Sequence, residues 1–582
     1  MLLPLIRKIL LGAFFCTFLL SVKAQRGNST EHLYTFIKVW GFLKYYHPAL
    51  ASGKMDADSI FKEGIKAMVP AKSDAEFKKW LAGMLRTLGP VDHSEKPDST
   101  KLFTRNQNFE WIQKLKLITP ELRKELIRLQ RIGYSGDFHR YMPANFHETQ
   151  LPGETPYPEI TYPDKYWQLL SLARYWNAIE YLYAYKYMLP VAWDKVLQQQ
   201  IPEFNKTLTS VEFEIQLMKL NAAIEDSHGG AINIKNKARI YGSYFPPFYV
   251  RFVGDSLVVT DYIDTLSCTQ QNIRPGDVIY SIADKPVSIT GKEWYVSASN
   301  INKKKAIMSA PALMLPLRGT DSVLKIGYLR EGNRMQSYLQ LKKPSASYVQ
   351  VLTEIYRRET GNGTTTTNDF VLRSIDTGVA VVDAANLSIL YNSAKDEKAV
   401  DSVFQLMRKH SKAIILDMRC YATQAVFYNK FLGALGWPLK PFLTLKAHST
   451  RWPGAFYTYD IVSGVKQAAV MKKYTGKVIL LVDSRTHSQS EMITMIFQAS
   501  GPAIVVGTQS SGADGDVIDL PLPGDYELSF SGRHVSYIDG TPSQMSGVKR
   551  DVKVKLTTKG VAAGRDEILE AALQLVRPMV AN

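Results

Sequence analysis

The stretch VILLVDSRTHSQSEM, residues 478–492, decides how the C-terminal part of this chain folds. Its first five residues are apolar and the next nine are polar, which predicts a buried strand, a polar turn and a helix that begins near Ser488. A hydroxyl at that point faces unpaired backbone N–H groups and the positive end of the helix dipole, which can stabilise a developing oxyanion. The alternative is that Thr486, Ser488 or Ser490 only caps the helix, with Glu491 completing a capping box.

Short β-branched apolar runs alternate with helical patterns on both sides of this stretch. Runs of this kind suit strands that are buried on both faces of a sheet. Strands that alternate with helices predict parallel pairing and right-handed crossovers, and therefore an α/β core over residues 346–582. The predicted strands are 379–382, 413–416, 478–482 and 503–506, and the predicted helices are 396–410 and 489–500.

Residues 226–345 read as a separate β-rich domain that begins with an Asp-Ser-His-Gly loop. The stretch Ile-Arg-Pro-Gly-Asp at 273–277 resembles the signature of PDZ domains, in which the phrase L-x-x-G-D-x-I-x-x-I-(N/D)-G recurs. PDZ domains are small modules that bind peptide ends. The resemblance implies a peptide-binding module, with Arg274, Gly276 and Asp277 as its substrate-binding residues.

Residues 25–225 read as a helical region. Segments 32–46 and 164–187 carry aromatic residues at helical spacing, which favours a core between helices over an aromatic ligand platform. Trp40 and Trp176 are 136 positions apart, as are Phe77 and Phe213. Two short sequence matches, ending at Asp92-His93 and at Asp226-Ser227-His228, follow the same order. The pattern indicates an internal duplication.

The N-terminus has the pattern of a secretory signal over residues 1–24. Arg7 and Lys8 precede an apolar run, and small or modest residues before Gln25 suit a cleavage site. We therefore expect a secreted protein, periplasmic or in the cell envelope. The alternative is an uncleaved anchor, which would be its means of membrane association.

The amino-acid composition limits the classes of function that this protein can have. The 582 residues suit several domains, and 71 Lys and Arg against 54 Asp and Glu give a net charge of +17. The charges are scattered, so a solvated basic surface is favoured over nucleic-acid binding. Only Cys268 and Cys420 would remain after processing, and we expect both to be free and buried. The sequence has no His-Glu-x-x-His, Cys-x-x-Cys or phosphate-loop phrase, so no metal or cofactor is predicted.

A serine nucleophile needs a base, and the sequence offers two histidines. No Gly-x-Ser-x-Gly elbow surrounds Ser488, which disfavours an α/β-hydrolase. His487 is adjacent, but neighbouring side chains on a turn usually diverge. His228 follows Asp226 and Ser227 and precedes two glycines that permit a sharp bend, so it is the better candidate.

The order of these features resembles the C-terminal-processing and tricorn-core family of serine peptidases. In that family the middle serine of the phrase S-A-S-A-S-E is the nucleophile, which points to Ser488. The lysine of the processing branch would stand at Ala513, so a Ser–Lys pair is not available there. Ser227-His228 fits the histidine-using, tricorn-like branch. The resemblance implies catalytic roles for Ser488, His228 and Ser227 and a crotonase-like α/β core.

The sequence departs from the family pattern at two places. The fourth catalytic position, a glutamate in the family, falls at Gln544, and Arg550 stands where the phrase G-V-x-P-D has proline. A glutamine can orient the serine and histidine by hydrogen bonds but cannot offset an imidazolium charge. The family phrase D-L-R-x-N-x-G-G reads Asp-Met-Arg-Cys-Tyr-Ala-Thr at 417–423, without glycine. We expect the N–H of Gln489, with that of Tyr421 or Ala422, to hold the oxyanion.

Together these features predict a multidomain serine peptidase. It would act as an endopeptidase or a carboxy-terminal processing peptidase through a Ser–His acyl-enzyme mechanism. Its partner would be a polypeptide substrate, bound by the C-terminal end. Two alternatives stay open. One is a catalytically silent member that binds peptides, and the other is a hydrolase on the same scaffold that acts on an ester or a non-protein amide.

Overall fold

The structure is a computed structural model that describes residues 29–68, 73–91, 102–144, 148–161, 163–287, 295–360, 372–376, 378–393, 398–422, 426–460 and 471–580. Within them, no helix has the length and apolar character needed to span a membrane. The predicted signal at 1–24 and the Asp92-His93 end of the first repeat lie outside the described residues.

The chain divides into two compact units. Unit 1 comprises Met1–Leu217, Ala447–Tyr457 and Ile518–Leu528, and unit 2 comprises Met218–Lys446, Thr458–Val517 and Ser529–Asn582. The N-terminal unit therefore includes two segments from far along the chain, which the sequence did not predict.

Unit 1 is mainly helical, as predicted. Lys165–Leu182 is buried from Gln168 onward, and the helix over 29–46 is buried along most of its length, so the two long helices supply much of the core. Leu102–Phe103 pairs antiparallel with residues 456 and 457. The helices are 29–46, Pro48–Ala51, Ala57–Met68, Asp74–Leu88, Glu110–Lys114, Pro120–Ile132, Lys165–Leu182, Trp193–Phe204 and Ser210–Ala222, the last extending into unit 2, with a 3₁₀ turn at Lys186–Met188.

The 136-residue offset recurs in the hydrogen bonds of unit 1. The Trp40 indole N–H donates to the Ala57 carbonyl at 2.7 Å, and the Trp176 indole N–H donates to the Trp193 carbonyl at 2.9 Å. Each acceptor lies 17 positions after its donor. Equivalent Trp side chains therefore donate hydrogen bonds to the first residues of equivalent helices in the two halves.

Two ion pairs with buried cations follow the same offset reciprocally. Lys38 pairs with Asp194, and Arg174, 136 positions after Lys38, pairs with Asp58, 136 positions before Asp194. Each half thus supplies the cation for the acid of the other half. The duplication stays a prediction, and these paired contacts support it.

Unit 2 contains an antiparallel sheet where the β-rich domain was predicted. Its strands lie in the order Phe248–Val253, Ser256–Tyr262, Val278–Ile282, Val323–Arg330 and Asn333–Gln340, with Lys285–Pro286 also on the third strand. The inner face buries aliphatic and aromatic side chains around Ile279 and Leu257. The surrounding helices are Lys237–Tyr241, Thr265–Gln270, Ile301–Ser309 and Ala346–Thr360.

The second sheet of unit 2 confirms the predicted parallel strands. Its order is Val552–Lys553, Ala503–Gly507, Lys477–Val482, Ala413–Asp417, Val379–Asp383 and Leu372–Asp376, and all neighbours are parallel except the last pair. The helices are Ala384–Ser393, Lys398–His410, Leu432–Leu435, Gln489–Ser500, Thr558–Ala562 and Glu567–Val580, with a π turn at Phe427–Phe431. The remaining strands are Ala231–Ile232, Leu443–His448, Phe456–Asp460, Val517–Leu522, Tyr526–Ser531 and His534–Tyr537.

Parallel pairing determines where the polar loops meet. Because Ala413–Asp417 and Lys477–Val482 run in the same direction, the loops after them leave from the same edge of the sheet. The Met418 N–H donates to the Leu481 carbonyl at 3.0 Å, and the Thr486 hydroxyl donates to the Met418 carbonyl at 2.8 Å. The two loops are therefore joined. Cys268 and Cys420 are free and buried, as predicted.

Candidate active site

Ser488 stands at the junction between the strand Lys477–Val482, its polar turn and the helix Gln489–Ser500. Its backbone has φ 50° and ψ −111°, a conformation that side-chain-bearing residues rarely adopt. The Ser488 N–H lies 3.1 Å from the Ala513 carbonyl and 3.3 Å from Glu491 Oε2, both of which accept from it. Local strain of this kind persists only where surrounding contacts enforce it, and it concentrates at functional sites.

Glu491 ties the start of this helix to the loop at 510–513. Oε1 accepts hydrogen bonds from the Ser510 hydroxyl at 2.6 Å and the Gly512 N–H at 2.8 Å, and Oε2 accepts from the Ala513 N–H at 3.0 Å. Burial raises the pKa of Glu491 to about 7, although these donors oppose the shift. The sequence predicted only a capping role for this carboxylate, and the structure adds the connection to the loop.

His228 and the nucleophile loop meet in the fold. The His228 ring packs edge-to-face against His487, with ring centroids 4.8 Å apart, and His487 Nδ1 lies 2.6 Å from the Ser511 hydroxyl. Within the described residues no hydrogen bond joins His228 to Ser488. In ligand-free sites such catalytic hydrogen bonds are often long and tighten when substrate binds.

A fully buried carboxylate orients His228 through a serine. His228 Nδ1 lies 2.8 Å from Ser531 Oγ, which donates to Asp226 Oδ1 at 3.0 Å. Asp226 also accepts from the His228 backbone N–H at 3.0 Å and from the Ser531 N–H at 2.6 Å. The Ser531 hydroxyl uses its hydrogen to donate to the Asp226 carboxylate. Its oxygen therefore accepts a hydrogen bond from Nδ1–H of His228, and Nε2 is left as the basic nitrogen.

Burial favours the neutral form of His228, although the nearest charge opposes it. Burial lowers the pKa of His228, the Asp226 and Asp516 carboxylates raise it, and the Lys303 ammonium lowers it, with a net downward shift. A neutral imidazole can accept a proton from a hydroxyl.

Two predicted catalytic residues, Gln544 and Ser227, bond to segments around His228, and of the two only Gln544 bonds to this relay. The Gln544 side chain is fully buried, and its Nε2 donates to Asp226 Oδ1 at 3.1 Å and to Ser299 Oγ at 3.5 Å. The Ser227 hydroxyl donates to the Ser511 carbonyl at 2.9 Å and accepts from the Ser299 N–H at 2.9 Å. Both side chains hold the loop that carries His228.

The three residues predicted to hold the oxyanion, Gln489, Ala422 and Tyr421, differ in whether they are free to donate a hydrogen bond. Within the described residues the Gln489 N–H, first in its helix, has no acceptor. The Ala422 N–H already donates to Ser490 Oγ at 2.9 Å, which corrects its predicted role. The Tyr421 ring centroid lies 6.4 Å from that of His487, and burial raises the pKa of Tyr421 while Ser488 and Gln489 oppose the shift, so the Tyr421 side chain lies near the nucleophile loop.

An ion-pair network holds the loop after Ala413–Asp417. Arg419 pairs with Asp417 at 2.7 Å and with Asp566 at 2.7 Å. The two acids fix the guanidinium, so Asp417 and Arg419 stabilise the loop that presents Tyr421.

One segment of the chain matches the model of a protein family. Residues 445–554 match the model of peptidase family S41. This segment is therefore a domain of the S41 serine-peptidase type. The matched segment contains Ser488 and Gln544, whereas His228 lies upstream of it.

Solved structures share the fold. The structure of mature CPAF complexed with lactacystin aligns with 72% of this chain and 99% of its own chain, at 12% identity and a TM-score of 0.55. A second structure of mature CPAF aligns with 72% of this chain and 98% of its own, also at 12% identity and a TM-score of 0.55. Comparison with curated proteins gives no match.

The structure corrects two of the predicted substrate-binding residues of the β-rich domain, Gly276 and Asp277, and leaves Arg274 as a prediction. The Asp277 side chain is buried and pairs with Arg330 at 2.7 Å, and it accepts from the Arg274 backbone N–H at 3.0 Å. Gly276 adopts φ 93° and donates its N–H to the Val259 carbonyl at 2.9 Å. Gly276 and Asp277 therefore shape a turn, whereas the Arg274 side chain is exposed and lies 3.8 Å from Glu331.

Neither Ser531 nor a separate role for Asp226 was predicted from the sequence. Asp226 was visible two positions before His228, which is a usable signal, whereas nothing in the sequence around Ser531 indicates its partner. In the described residues, no group of three or more His, Cys, Asp or Glu side chains is placed to hold a metal ion.

Proposed function

We propose that this protein is a secreted serine peptidase that hydrolyses peptide bonds of polypeptides through an acyl-enzyme on Ser488. The observation that carries the proposal is the strained Ser488 at a helix N-terminus, in a fold where His228 contacts the adjacent His487 and is oriented by Ser531 and Asp226. A nucleophile, a base and a group that orients the base are the three parts that acyl transfer requires.

Acylation begins with proton transfer. His228 Nε2 takes the proton of the Ser488 hydroxyl as Oγ forms a bond to the carbonyl carbon of the peptide. The Gln489 N–H and the Tyr421 hydroxyl donate to the oxyanion. His228, now protonated, is stabilised by Asp226 through Ser531 and gives its proton to the leaving amine as the C–N bond breaks.

Deacylation repeats these steps with water. His228 accepts a proton from a water molecule whose oxygen attacks the ester carbonyl. The same two donors hold the second oxyanion. The C–O bond to Ser488 then breaks, the serine oxygen recovers its proton from His228, and the new carboxylate leaves.

Labelling with an uncharged fluorophosphonate tests this proposal. We expect the protein lacking residues 1–24 to be labelled on Ser488, with labelling abolished in Ser488→Ala and strongly reduced in His228→Ala. Ser500→Ala is the matched control, because Ser500 is buried at the other end of the same helix and should leave labelling unchanged. Labelling at another residue, or equal labelling in His228→Ala, would contradict the proposal.

A silent peptide-binding protein is the second candidate. Gln544 occupies the position of the family's glutamate, and within the described residues no hydrogen bond joins His228 to Ser488. Binding of fluorescent peptides without labelling of Ser488 would favour this candidate. Turnover of small esters without cleavage of any polypeptide would instead favour a hydrolase with non-protein substrates.

The remaining parts of the proposal concern location and substrate delivery. Residues 1–24 would direct secretion to the periplasm or cell envelope and be removed. The β-rich domain at 226–345 would add a polypeptide end to the edge strand Asn333–Gln340 as a further strand. Amino-terminal sequencing of the secreted protein tests the first point, since a start at Gln25 is expected.

A further inference from the structure

A cleft of about 580 Å³ opens beside the nucleophile loop of unit 2. His487 and Tyr421 line it on the catalytic side, and Lys303 and Arg550 line it on other sides. Because His487 is adjacent to Ser488 in the chain and its ring contacts His228, a peptide that fills this cleft lies next to the reacting groups.

The cleft wall carries more positive than negative charge. Its acids are Glu359 and Asp483, and each already lies beside an arginine, at 3.7 Å from Arg251 and 2.7 Å from Arg485. The basic side chains of the wall are Arg251, Lys303, Lys305, Arg485, Arg550 and Lys555. Cations without an acidic neighbour therefore remain on the wall.

Lys303 is the first such cation. Its ammonium donates to the Ser484 carbonyl at 3.1 Å, and no carboxylate in the described residues lies within ion-pair distance of it. Burial lowers the pKa of Lys303 to about 8, against the attraction of Glu491 and Asp483 farther away. It is therefore mostly charged at neutral pH, and a partly buried charge of this kind gains from a counter-ion.

Arg550 is the second such cation, and it stands where the family phrase has proline. Its side chain is half-buried, its Nε has no hydrogen-bond partner in the described residues, and it takes part in no ion pair there. A guanidinium presents its donors as a fork that matches the two oxygens of a carboxylate. An unpaired arginine in a substrate cleft is thus suited to receive a carboxylate from the substrate.

We propose that Arg550 and Lys303 form a subsite for a carboxylate side chain of the substrate, an aspartate or glutamate close to the scissile bond. The inference rests on the proposed function, since it assigns a substrate class to the same site. A C-terminal carboxylate has the same chemistry, so the test must separate the two sources.

Cleavage of a peptide library by the protein lacking residues 1–24 provides that test. All peptides carry amidated C-termini, and cleavage sites are mapped by mass spectrometry. We expect Asp or Glu to be enriched at one position near the cleaved bond. For a matched pair of peptides, kcat/KM should be about tenfold higher with Glu than with Gln at that position, as expected for a charge-assisted hydrogen bond.

Variants of Arg550 and Lys303 test whether these side chains cause the preference for an acidic residue in the substrate. Arg550→Gln and Lys303→Met should each bring the Glu-to-Gln ratio close to one, and Arg550→Lys should retain part of it because the charge remains. Lys304→Met is the matched control, since Lys304 lies on the same helix but does not line the cleft, and it should keep the full ratio. Thermal unfolding confirms that each variant is folded.

Each outcome has a definite meaning. Equal cleavage of the Glu and Gln peptides, or a ratio unchanged in Arg550→Gln, overturns the subsite. Cleavage that requires a free C-terminus and ignores internal acids assigns the cations to the terminal carboxylate and overturns the side-chain proposal. Fluorophosphonate labelling of the wild-type protein reports separately on the proposed function: labelling without an acid preference overturns this inference alone.

Discussion

Replacing Ser531 with alanine removes the hydroxyl that connects His228 to Asp226. In the structure this oxygen lies 2.8 Å from His228 Nδ1 and 3.0 Å from Asp226 Oδ1, so one substitution breaks both hydrogen bonds of the relay. The Ser531 backbone N–H still donates to Asp226, at 2.6 Å, so the position of the strand should be preserved. The change is therefore specific for the orientation of the imidazole.

The magnitude follows from the charge that develops on His228. When the imidazole takes the Ser488 proton, its bond to Ser531 becomes charge-assisted, and such bonds contribute about 1.5–3 kcal/mol. At 1.36 kcal/mol for each tenfold change in rate, Ser531→Ala should lower kcat/KM by about 10- to 160-fold.

Asp226→Asn tests the same relay through pH. The Asp226 and Asp516 carboxylates raise the pKa of His228, whereas burial, first of all, and Lys303 lower it, and the ring of His487 is in contact. Loss of the Asp226 charge should therefore lower the pKa of His228 further. Since the base must be neutral, the acidic limb of the pH profile of kcat/KM should move to lower pH, while the maximal rate falls.

The assay is kcat/KM for one peptide between pH 5 and pH 9, with Ser536→Ala as a control on another strand of the same unit. A folded Ser531→Ala variant with unchanged kcat/KM would refute the relay. An acidic limb that does not move in Asp226→Asn would show that the carboxylate acts only on the fold.

Three further predictions concern stability. Gln544→Glu would place a second carboxylate about where Nε2 now lies 3.1 Å from Asp226, so the pKa of one acid must rise and stability is lost as pH increases. We expect the free energy of unfolding to fall by about 1–4 kcal/mol at pH 8 and by less at pH 5, measured by urea denaturation. Asp277→Asn should leave Arg330 without its buried partner and lower the free energy of unfolding by about 3–5 kcal/mol in the same measurement. Labelling of Ser488 should be unchanged, because we assign Asp277 a structural role and not a substrate-binding one. Glu491→Gln would turn amide hydrogens toward N–H donors and should cost about 1–3 kcal/mol, measured by thermal unfolding.

The parallel sheet could be predicted because its signal is local. Strands such as Lys477–Val482 and Ala413–Asp417 are buried on both faces, so they appear in the sequence as continuous β-branched apolar runs. The assignment of Ala447–Tyr457 and Ile518–Leu528 to unit 1 could not be predicted, because it depends on contacts between segments far apart in the sequence.

The residues of the candidate site also differ in this respect, because some have a local sequence signal and others do not. Ser488 was found because a strand, a turn and a helix succeed one another within a few residues. His228 was found from its neighbours, but its link to Ser531 spans 303 positions and carries no local pattern. Ala422 was predicted as an oxyanion donor because it lies in the loop where the family phrase has a glycine donor, and the bond from its N–H to the Ser490 hydroxyl became visible only in the fold.

The most direct measurement is an experimental structure of the protein with a phosphonate bound to Ser488. The account predicts that His228 Nε2 lies within about 2.6–3.2 Å of the serine oxygen or of a phosphonate oxygen bound beside it. It also predicts that the Gln489 N–H donates to a phosphonate oxygen. A His228 ring that stays many ångströms from the adduct, with no movement of its loop, would contradict the account.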